Sequence, residues 1–205
     1  MLTINARKED IIQEKILQAA QQLFQKHGFQ KVTMDDVAKA VGKGRSSIYY
    51  YYKNKDEVFE AVMDVEIKDI IGELSKAVSE QPATEEKIRA FCLAKIKVAK
   101  KKKGFFNAME AGMNADEISL YSEKKKALSK RLLKEEGNLL HQILTDGVKN
   151  KELPSTSSKD LKIAVFVLLC SIHGLKREMV NEKNAGRLEA AVNMLTKMAM
   201  GGINT

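Results

Sequence analysis

The sequence predicts an all-α fold of about nine helices, and three observations carry that prediction. The 205 residues include only 2 prolines and 12 glycines, so few residues interrupt a helix. Apolar residues recur at intervals of three and four, and no segment alternates apolar and polar residues convincingly as a half-buried strand does. Hydrophobic residues make up 44% and charged residues 30%, which is typical of a globular rather than a disordered chain.

The first part of the chain predicts a helix followed by a capped short helix. Residues 7–27 carry apolar side chains at helical spacing, and Gly28 follows as a helix stop. Thr33 offers a side-chain oxygen for the next start, with Asp36 three residues later in the arrangement of a capping box. Gly42 ends this second helix.

A third short helix is predicted at 45–51, directly after a turn that contains Gly44. Two short helices joined by such a turn form a candidate helix-turn-helix. Asn54 then caps a longer helix, which ends before Pro82 because the residue preceding a proline avoids helical backbone angles.

The remaining chain predicts further helices, at about residues 84–103, 116–149, 158–181 and 185–200. Gly104 is expected to break the first of them and to leave a short apolar segment that contains Phe105, Phe106, Met109 and Met113. Residues 163–170 are apolar on every side of a helix. This run is too short to span a membrane, so the helix must be buried on more than one side.

The positive charge is concentrated in two stretches of a chain whose formal net charge is +8. Residues 39–55 hold five cations and no acid, interleaved with serines and tyrosines, which is typical of a surface that contacts the DNA backbone. Residues 87–103 hold eight cations and no acid. For this second stretch we favour a solvated helix end over a second nucleic-acid patch, because cations complement the C-terminal end of the helix dipole.

One set of residues between 15 and 58 matches a known domain without a gap. The set is Ile16-Leu17, Ala19-Ala20, Leu23-Phe24, Gly28-Phe29, Val32-Thr33-Met34, Val37-Ala38, Gly42, Ile48-Tyr49, Tyr51-Tyr52, Lys55 and Val58. On these residues the segment resembles the N-terminal domain of the TetR family of bacterial transcriptional regulators. The resemblance implies a helix-turn-helix DNA-binding domain at 1–54 and a larger helical domain for effector binding and dimerisation at 55–205.

Eight residues are predicted to contact double-stranded DNA. Arg45 can pair with a guanine, because the N-terminal residues of a recognition helix reach base edges in the major groove. Thr33 and Lys55 stand at helix starts, where backbone amides with a hydroxyl or a cation bind phosphate. The complete set is Thr33, Lys43, Arg45, Ser46, Ser47, Tyr49, Tyr50 and Lys55.

The sequence carries no motif of an enzyme or of a metal site. Its three histidines lack ligand spacing, its two cysteines have no CxxC partner, and glycine-rich phosphate loops and a nucleophile elbow are absent. We therefore expect no catalytic residue, no cofactor and no metal. Cys92 and Cys170 in apolar surroundings favour a reducing cytoplasm, and the N-terminus shows no apolar signal segment.

A pocket for a largely apolar ligand is a second hypothesis for the larger domain, because methionine and aromatic side chains suit adaptable apolar ligands. The candidates are Phe91, Phe105, Phe106, Met109, Met113, Tyr121, Phe166, Cys170 and His173. For any single member a filled core is the more frequent explanation of the same helical spacing.

A homodimer is predicted because the apolar helix at 163–170 needs a partner on its second side and the last helix adds another apolar face. The interface candidates are Leu168, Leu175, Leu188, Val192 and Leu195. The resulting hypothesis is a repressor that binds a palindromic operator as a dimer and is released by a small, largely apolar ligand. The alternatives are a chromosome-organising DNA-binding protein and a small-molecule carrier without a DNA role; the basic stretch 39–55 argues against the carrier.

Overall fold

The computed structural model is all-α in the residues it describes, 2–179 and 186–203. Within these ranges it contains eight α-helices and no strand: α1 (Leu2–His27), α2 (Met34–Val41), α3 (Arg45–Tyr51), α4 (Lys55–Ser79), α5 (Thr84–Met109), α6 (Ala115–Lys149), α7 (Ser158–Met179) and α8 (Leu188–Ile203). None of the helices in this part of the chain has the length and apolar character needed to cross a bilayer. The all-α prediction is confirmed, and the expected number of about nine helices is one too many for the described residues.

Gly104 does not break a helix, which corrects the prediction of a separate apolar segment after it. The residue lies inside α5, which continues to Met109. A single glycine weakens a helix by about 1 kcal/mol relative to alanine. Phe105 and Met109, both buried, provide packing that outweighs a cost of this size.

The chain forms two compact units whose boundaries differ from the predicted division at residue 54. The first unit contains residues 1–68 and 102–126, and the second contains 69–101 and 127–205. Helices α4, α5 and α6 each contribute one part to the first unit and the other part to the second. The division of tasks between a DNA-binding and an effector domain stays a prediction.

The start of α2 in the first unit is fixed by the predicted capping box. The Thr33 hydroxyl accepts a hydrogen bond from the Asp36 backbone N–H at 3.2 Å, and the Asp36 carboxylate accepts one from the Thr33 backbone N–H at 2.9 Å. These bonds from Thr33 hold the pKa of Asp36 below its ordinary value. At the other end Gly42 adopts φ 68°, the left-handed conformation that terminates the helix.

The core of the first unit holds α1, α2 and α3 together. Its innermost apolar residues from these helices are Ile16, Ala20, Phe24, Val37, Ala38 and Ile48. The rings of Phe24, Phe29 and Phe59 meet with centroids 4.9–6.3 Å apart, distances typical of favourable edge-to-face packing. The helix-turn-helix is therefore a packed part of this unit.

The core of the second unit collects apolar residues from α4 to α8, including Leu74, Ile88, Phe91, Leu140, Leu144, Ile172 and Val192. One side of α7 enters this core through Leu161, Val165 and Leu168. The other side leaves Phe166 66% exposed, with Ile163 and Val167 about half exposed. The second apolar side predicted for this helix is thus uncovered within the chain.

The lysine-rich stretch 87–103 is not a solvated helix end, which corrects that interpretation. Helix α5 continues beyond it, and Lys95 is buried against Glu136 in the second unit. In the first unit the Lys102 ammonium lies 2.7 Å from the buried carboxylate of Glu66. The acids that balance these lysines stand on other helices, so a count along α5 alone does not include them.

Candidate DNA-binding surface

Helix α3 exposes polar side chains on one side, because a single residue, Ile48, packs its other side against the core. Ile48 is fully buried in the first unit. Residues one and two positions after it on this seven-residue helix point away from the core, so Tyr49 and Tyr50 are exposed. Arg45, the first residue of the helix, is exposed as well. Tyr50, with 72% of its surface exposed, extends farthest into solvent among these residues.

Arg45 is held by two neighbours rather than extending freely. Its Nε lies 3.1 Å from Oδ1 of Asp35 on α2. Its Nη2 donates a hydrogen bond to the Tyr49 hydroxyl at 3.3 Å, and the guanidinium carbon lies 5.4 Å from the centroid of the Tyr49 ring. The bond to Tyr49, followed by the charge of Asp35, raises the pKa of Arg45.

Lys43, Ser46, Ser47 and Tyr50 line a shallow depression of about 350 Å³ on the same side. Lys43 and Ser46 are exposed and Ser47 is half-buried. The Tyr50 hydroxyl lies 3.5 Å from the carboxylate of Glu9. Six of the eight predicted DNA-contact residues therefore lie on or beside one exposed helix.

Thr33 and Lys55 already use their polar groups within the chain. The Thr33 hydroxyl donates to the Asp36 carboxylate at 2.7 Å. The Lys55 ammonium donates to the backbone carbonyls of Phe29 and Gln30 at 2.9 and 3.1 Å and lies 4.4 Å from the centroid of the Phe29 ring. Burial lowers the pKa of Lys55. A phosphate contact by either residue stays a prediction and would compete with these bonds.

Asp35 is the residue at this surface that the sequence interpretation missed. The stretch 39–55 is free of acids, yet folding brings an acid from the preceding helix against Arg45. No pattern in the local sequence predicts the ion pair of Asp35 and Arg45, because it depends on how α2 packs on α3.

Residues 16–62 match the sequence model of the bacterial regulatory proteins of the tetR family. This match covers the helix-turn-helix and the first part of α4. This N-terminal segment is therefore similar to the DNA-binding domain of that family.

The relatives extend the similarity unevenly along the chain. The HTH-type transcriptional regulator YfiR of Bacillus subtilis is 28% identical over 78 residues, 38% of this chain and 38% of that protein. The regulator YhgD of the same organism is 35% identical over 63 residues, 31% of this chain and 33% of that protein. The chain thus spans about a third of the length of these two relatives. The fatty acid metabolism regulator protein of Bacillus subtilis is 21% identical over 93% of this chain and 94% of its own length.

Solved structures of TetR-type regulators share the fold across both units. The structure of FadR from Bacillus subtilis with stearoyl-CoA gives a TM-score of 0.59 at 19% identity, covering 93% of this chain and 98% of that one. PfmR from Thermus thermophilus gives 0.52 at 20% identity, covering 93% of this chain and 99% of that one. The likeness in fold therefore extends well beyond the matched N-terminal segment.

The nine predicted pocket residues do not lie in one unit. Phe105, Phe106, Met109, Met113 and Tyr121 belong to the first unit, whereas Phe91, Phe166, Cys170 and His173 belong to the second. Phe91, Met109 and Tyr121 are buried, and burial raises the pKa of Tyr121 to about 12.

Phe166 and Cys170 are exposed on α7, because a helix can bury only part of its circumference in one core. A ligand contact by either residue stays a prediction.

A place in a dimer interface stays a prediction for the five residues named for it. Leu168 and Val192 are enclosed by the core of their own unit, and Leu175, Leu188 and Leu195 are partly buried against it. The exposed apolar side chains on the same two helices are Ile163, Phe166, Val167, Met194 and Met198. Between α7 and α8 lies an open groove of about 740 Å³, partly lined by Ile163, Val167 and Met198.

A buried ionic cluster stands apart from these apolar surfaces in the second unit. Lys95 pairs with Glu136, and Nε2 of His173 lies 3.7 Å from the other carboxylate oxygen of Glu136. Burial raises the pKa of Glu136, but His173 and Lys95 together outweigh burial and hold it below its ordinary value. Burial lowers the pKa of Lys95. Among the described residues no group of three or more histidine, cysteine or acidic side chains could hold a metal ion.

Proposed function

We propose that this protein is a transcriptional repressor that binds a palindromic operator as a homodimer and is released by a small, largely apolar ligand. One observation carries the DNA-binding part of the proposal. In a TetR-family domain, Ile48 fixes α3 to the core while Arg45, Ser46 and Tyr50 stand exposed on its outer side. Side chains of this kind at the start of a recognition helix are suited to the major groove.

The proposed dimer rests on the uncovered apolar sides of α7 and α8. Five large apolar side chains of these helices are exposed, and three of them, Ile163, Val167 and Met198, line one groove. An exposed apolar surface of this kind typically marks an interaction site. A two-fold interface uses the same patch twice. Binding to a palindrome requires such symmetry, with two recognition helices about 34–36 Å apart, one turn of DNA.

A fatty acyl thioester is the ligand class that we propose first. The relative that matches along 93% of this chain is named a fatty acid metabolism regulator, and a similar solved structure contains stearoyl-CoA. The acyl chain of such a ligand agrees with the largely apolar pocket expected from the sequence. The proposal places the protein in the cytoplasm, where DNA and acyl thioesters are both accessible.

Selection of binding sites from a random duplex library tests the proposal. We expect an enriched palindrome whose half-site centres are about one helical turn, or a multiple of it, apart. Stearoyl-CoA is expected to release the selected DNA, whereas free coenzyme A, the matched control, is expected to leave it bound. Binding without any enriched sequence would instead support the chromosome-organising alternative, and failure of stearoyl-CoA to release DNA would exclude this ligand.

Phe166→Glu is expected to convert the dimer to a monomer and to abolish tight operator binding. A glutamate at this position is tolerated in the isolated chain because the side chain is exposed, but two copies at a two-fold seam would bury charge without a partner. Sedimentation velocity measures the outcome. Lys159→Glu, at an exposed position in the first turn of the same helix, is the control and should remain dimeric. A Phe166→Glu dimer that still binds DNA would contradict this interface.

A further inference from the structure

Asp35 lies in the first turn of α2, where an acid complements the helix dipole, and its carboxylate has a further contact outside the helix. The next residue, Asp36, already closes the capping box with Thr33. Asp35 instead directs its carboxylate to α3, where Oδ1 is shielded from solvent and lies 3.1 Å from Nε of Arg45. An exposed ion pair of this kind contributes little to stability. Its main effect is to hold the Arg45 side chain in one position.

We propose that Asp35 is a positioning residue that fixes the Arg45 guanidinium for reading a guanine, an inference that rests on the proposed DNA-binding function. It adds a specificity determinant on α2 to the residues of the recognition helix. Three groups on two consecutive helices lie together here: the Asp35 carboxylate on α2, and the Arg45 guanidinium and the Tyr49 ring on α3.

The contacts of Arg45 leave one edge of its guanidinium available. Asp35 lies at Nε, and the Tyr49 hydroxyl takes a hydrogen bond from Nη2. A guanidinium has five N–H donors, so Nη1 and the second hydrogen of Nη2 remain. These two groups form the end-on fork that matches O6 and N7 of guanine in the major groove.

Holding the side chain in advance favours specific binding. An arginine free to rotate loses conformational entropy when it docks on a base, and a side chain already ordered by Asp35 and Tyr49 loses less. Because the fork is then presented in one orientation, an acceptor pair on a wrong base meets it poorly. Asp35 thereby acts on discrimination between bases through Arg45, without touching DNA itself.

The charge of Asp35 predicts a pair of changes in DNA binding that a folding defect would not produce. A carboxylate beside a DNA-binding surface repels phosphates, so its removal should strengthen binding to random DNA. If Asp35 also orients Arg45, the same removal should weaken preference for the guanine. A destabilised domain would instead lose both kinds of binding together.

The test compares Asp35→Ala with the wild type on the selected operator and on versions in which each guanine is replaced in turn. At one guanine of each half-site we expect wild-type discrimination of about 5- to 150-fold, the range of a bidentate pair. Asp35→Ala should reduce it by about fivefold or more, while affinity for random DNA stays equal or rises. Asp35→Glu should restore part of the preference.

Three further variants make the result decisive. Arg45→Ala should flatten the same guanine position, and adding Asp35→Ala to it should cause no further loss, because two residues acting as one unit are not additive. Glu9→Ala removes an exposed acid near Tyr50 without touching Arg45, so it should raise random-DNA affinity and leave the guanine preference unchanged.

Two results would overturn the inference while leaving the proposed function intact. One is an unchanged guanine preference in Asp35→Ala beside a flattened one in Arg45→Ala. The other is a stronger preference in Asp35→Ala, which would mean that Asp35 competes with DNA for the arginine. A wild-type protein that selects no sequence would overturn the proposed function itself.

Discussion

Replacing Lys95 by methionine is expected to lower the free energy of unfolding by about 3–5 kcal/mol, the usual cost of leaving a buried charge without its partner. Lys95 is 5% exposed and Glu136 is 1% exposed, so water reaches neither group well. The remaining neighbour of the carboxylate, His173, lies 3.7 Å away and carries a charge only when protonated. Urea denaturation followed by circular dichroism measures the change.

The double variant Lys95→Met, Glu136→Leu is the matched control. It removes both charges, and apolar residues of similar volume can replace a buried ion pair at little cost. Most of the stability lost in Lys95→Met should therefore return. A single variant within about 1 kcal/mol of the wild type would show that the pair is not buried from solvent in solution.

The pH dependence of the same variant has a definite sign. Without Lys95, His173 alone opposes burial, and burial is the largest single influence on the pKa of Glu136, so we expect the folded-state pKa to rise above its unfolded value. A group raised in this way contributes stability below its unfolded pKa and loses it as the pH rises through the folded value. The penalty of Lys95→Met should thus be smallest in acid and grow toward neutral pH. The wild-type carboxyl has the opposite shift, so its contribution is lost on acidification.

The N-terminal helices were predictable from the sequence because local chemistry determines them. Thr33 and Asp36 cap α2 with side chains three residues apart, and Gly42 stops it by adopting a left-handed conformation. Both signals act within a few residues, so they can be read without knowledge of the fold.

Features that depend on packing between helices could not be read in this way. Gly104 looked like a helix end, but the burial of Phe105 and Met109 keeps α5 continuous. The two faces of α7 look equally apolar in sequence, and only contact with the core decides that Leu168 turns inward and Phe166 outward.

The candidate DNA-binding surface also combines features that the local sequence determines with features that only the packing of the chain determines. Exposure of Tyr50 follows from the helical phase set by Ile48, and Arg45 is exposed at the first position of the helix, so the sequence identifies both correctly as surface residues of α3. The bonds that hold Lys55 to the carbonyls of Phe29 and Gln30 join residues more than twenty positions apart. A cation at a helix start predicted a phosphate contact for Lys55, because a sequence does not show that the ammonium has carbonyl partners within the fold.

Gly28→Ala is expected to destabilise the first unit far more than the same change at Gly42. Both glycines adopt left-handed angles, φ 80° and φ 68°, a conformation that costs about 1–3 kcal/mol for a residue with a side chain. At Gly28 a Cβ atom would also stand 2.6 Å from the backbone oxygen of Ala111. Backbone cannot move aside as a flexible side chain can, so we expect about 1–3 kcal/mol more from this overlap.

The difference in stability between Gly28→Ala and Gly42→Ala measures one contact, which joins the end of α1 to the turn between α5 and α6. The backbone N–H of Phe29 donates to the Met109 carbonyl across this contact, whereas nothing lies within 4 Å of a Cβ placed on Gly42. Gly42→Ala therefore reports the backbone cost alone, and the difference between the two variants in urea denaturation reports the close approach. Because α1 packs with the two helices of the helix-turn-helix, we also expect Gly28→Ala to weaken operator binding at temperatures at which Gly42→Ala still binds. Equal losses of stability in the two variants would mean that this turn does not press on Gly28 in solution.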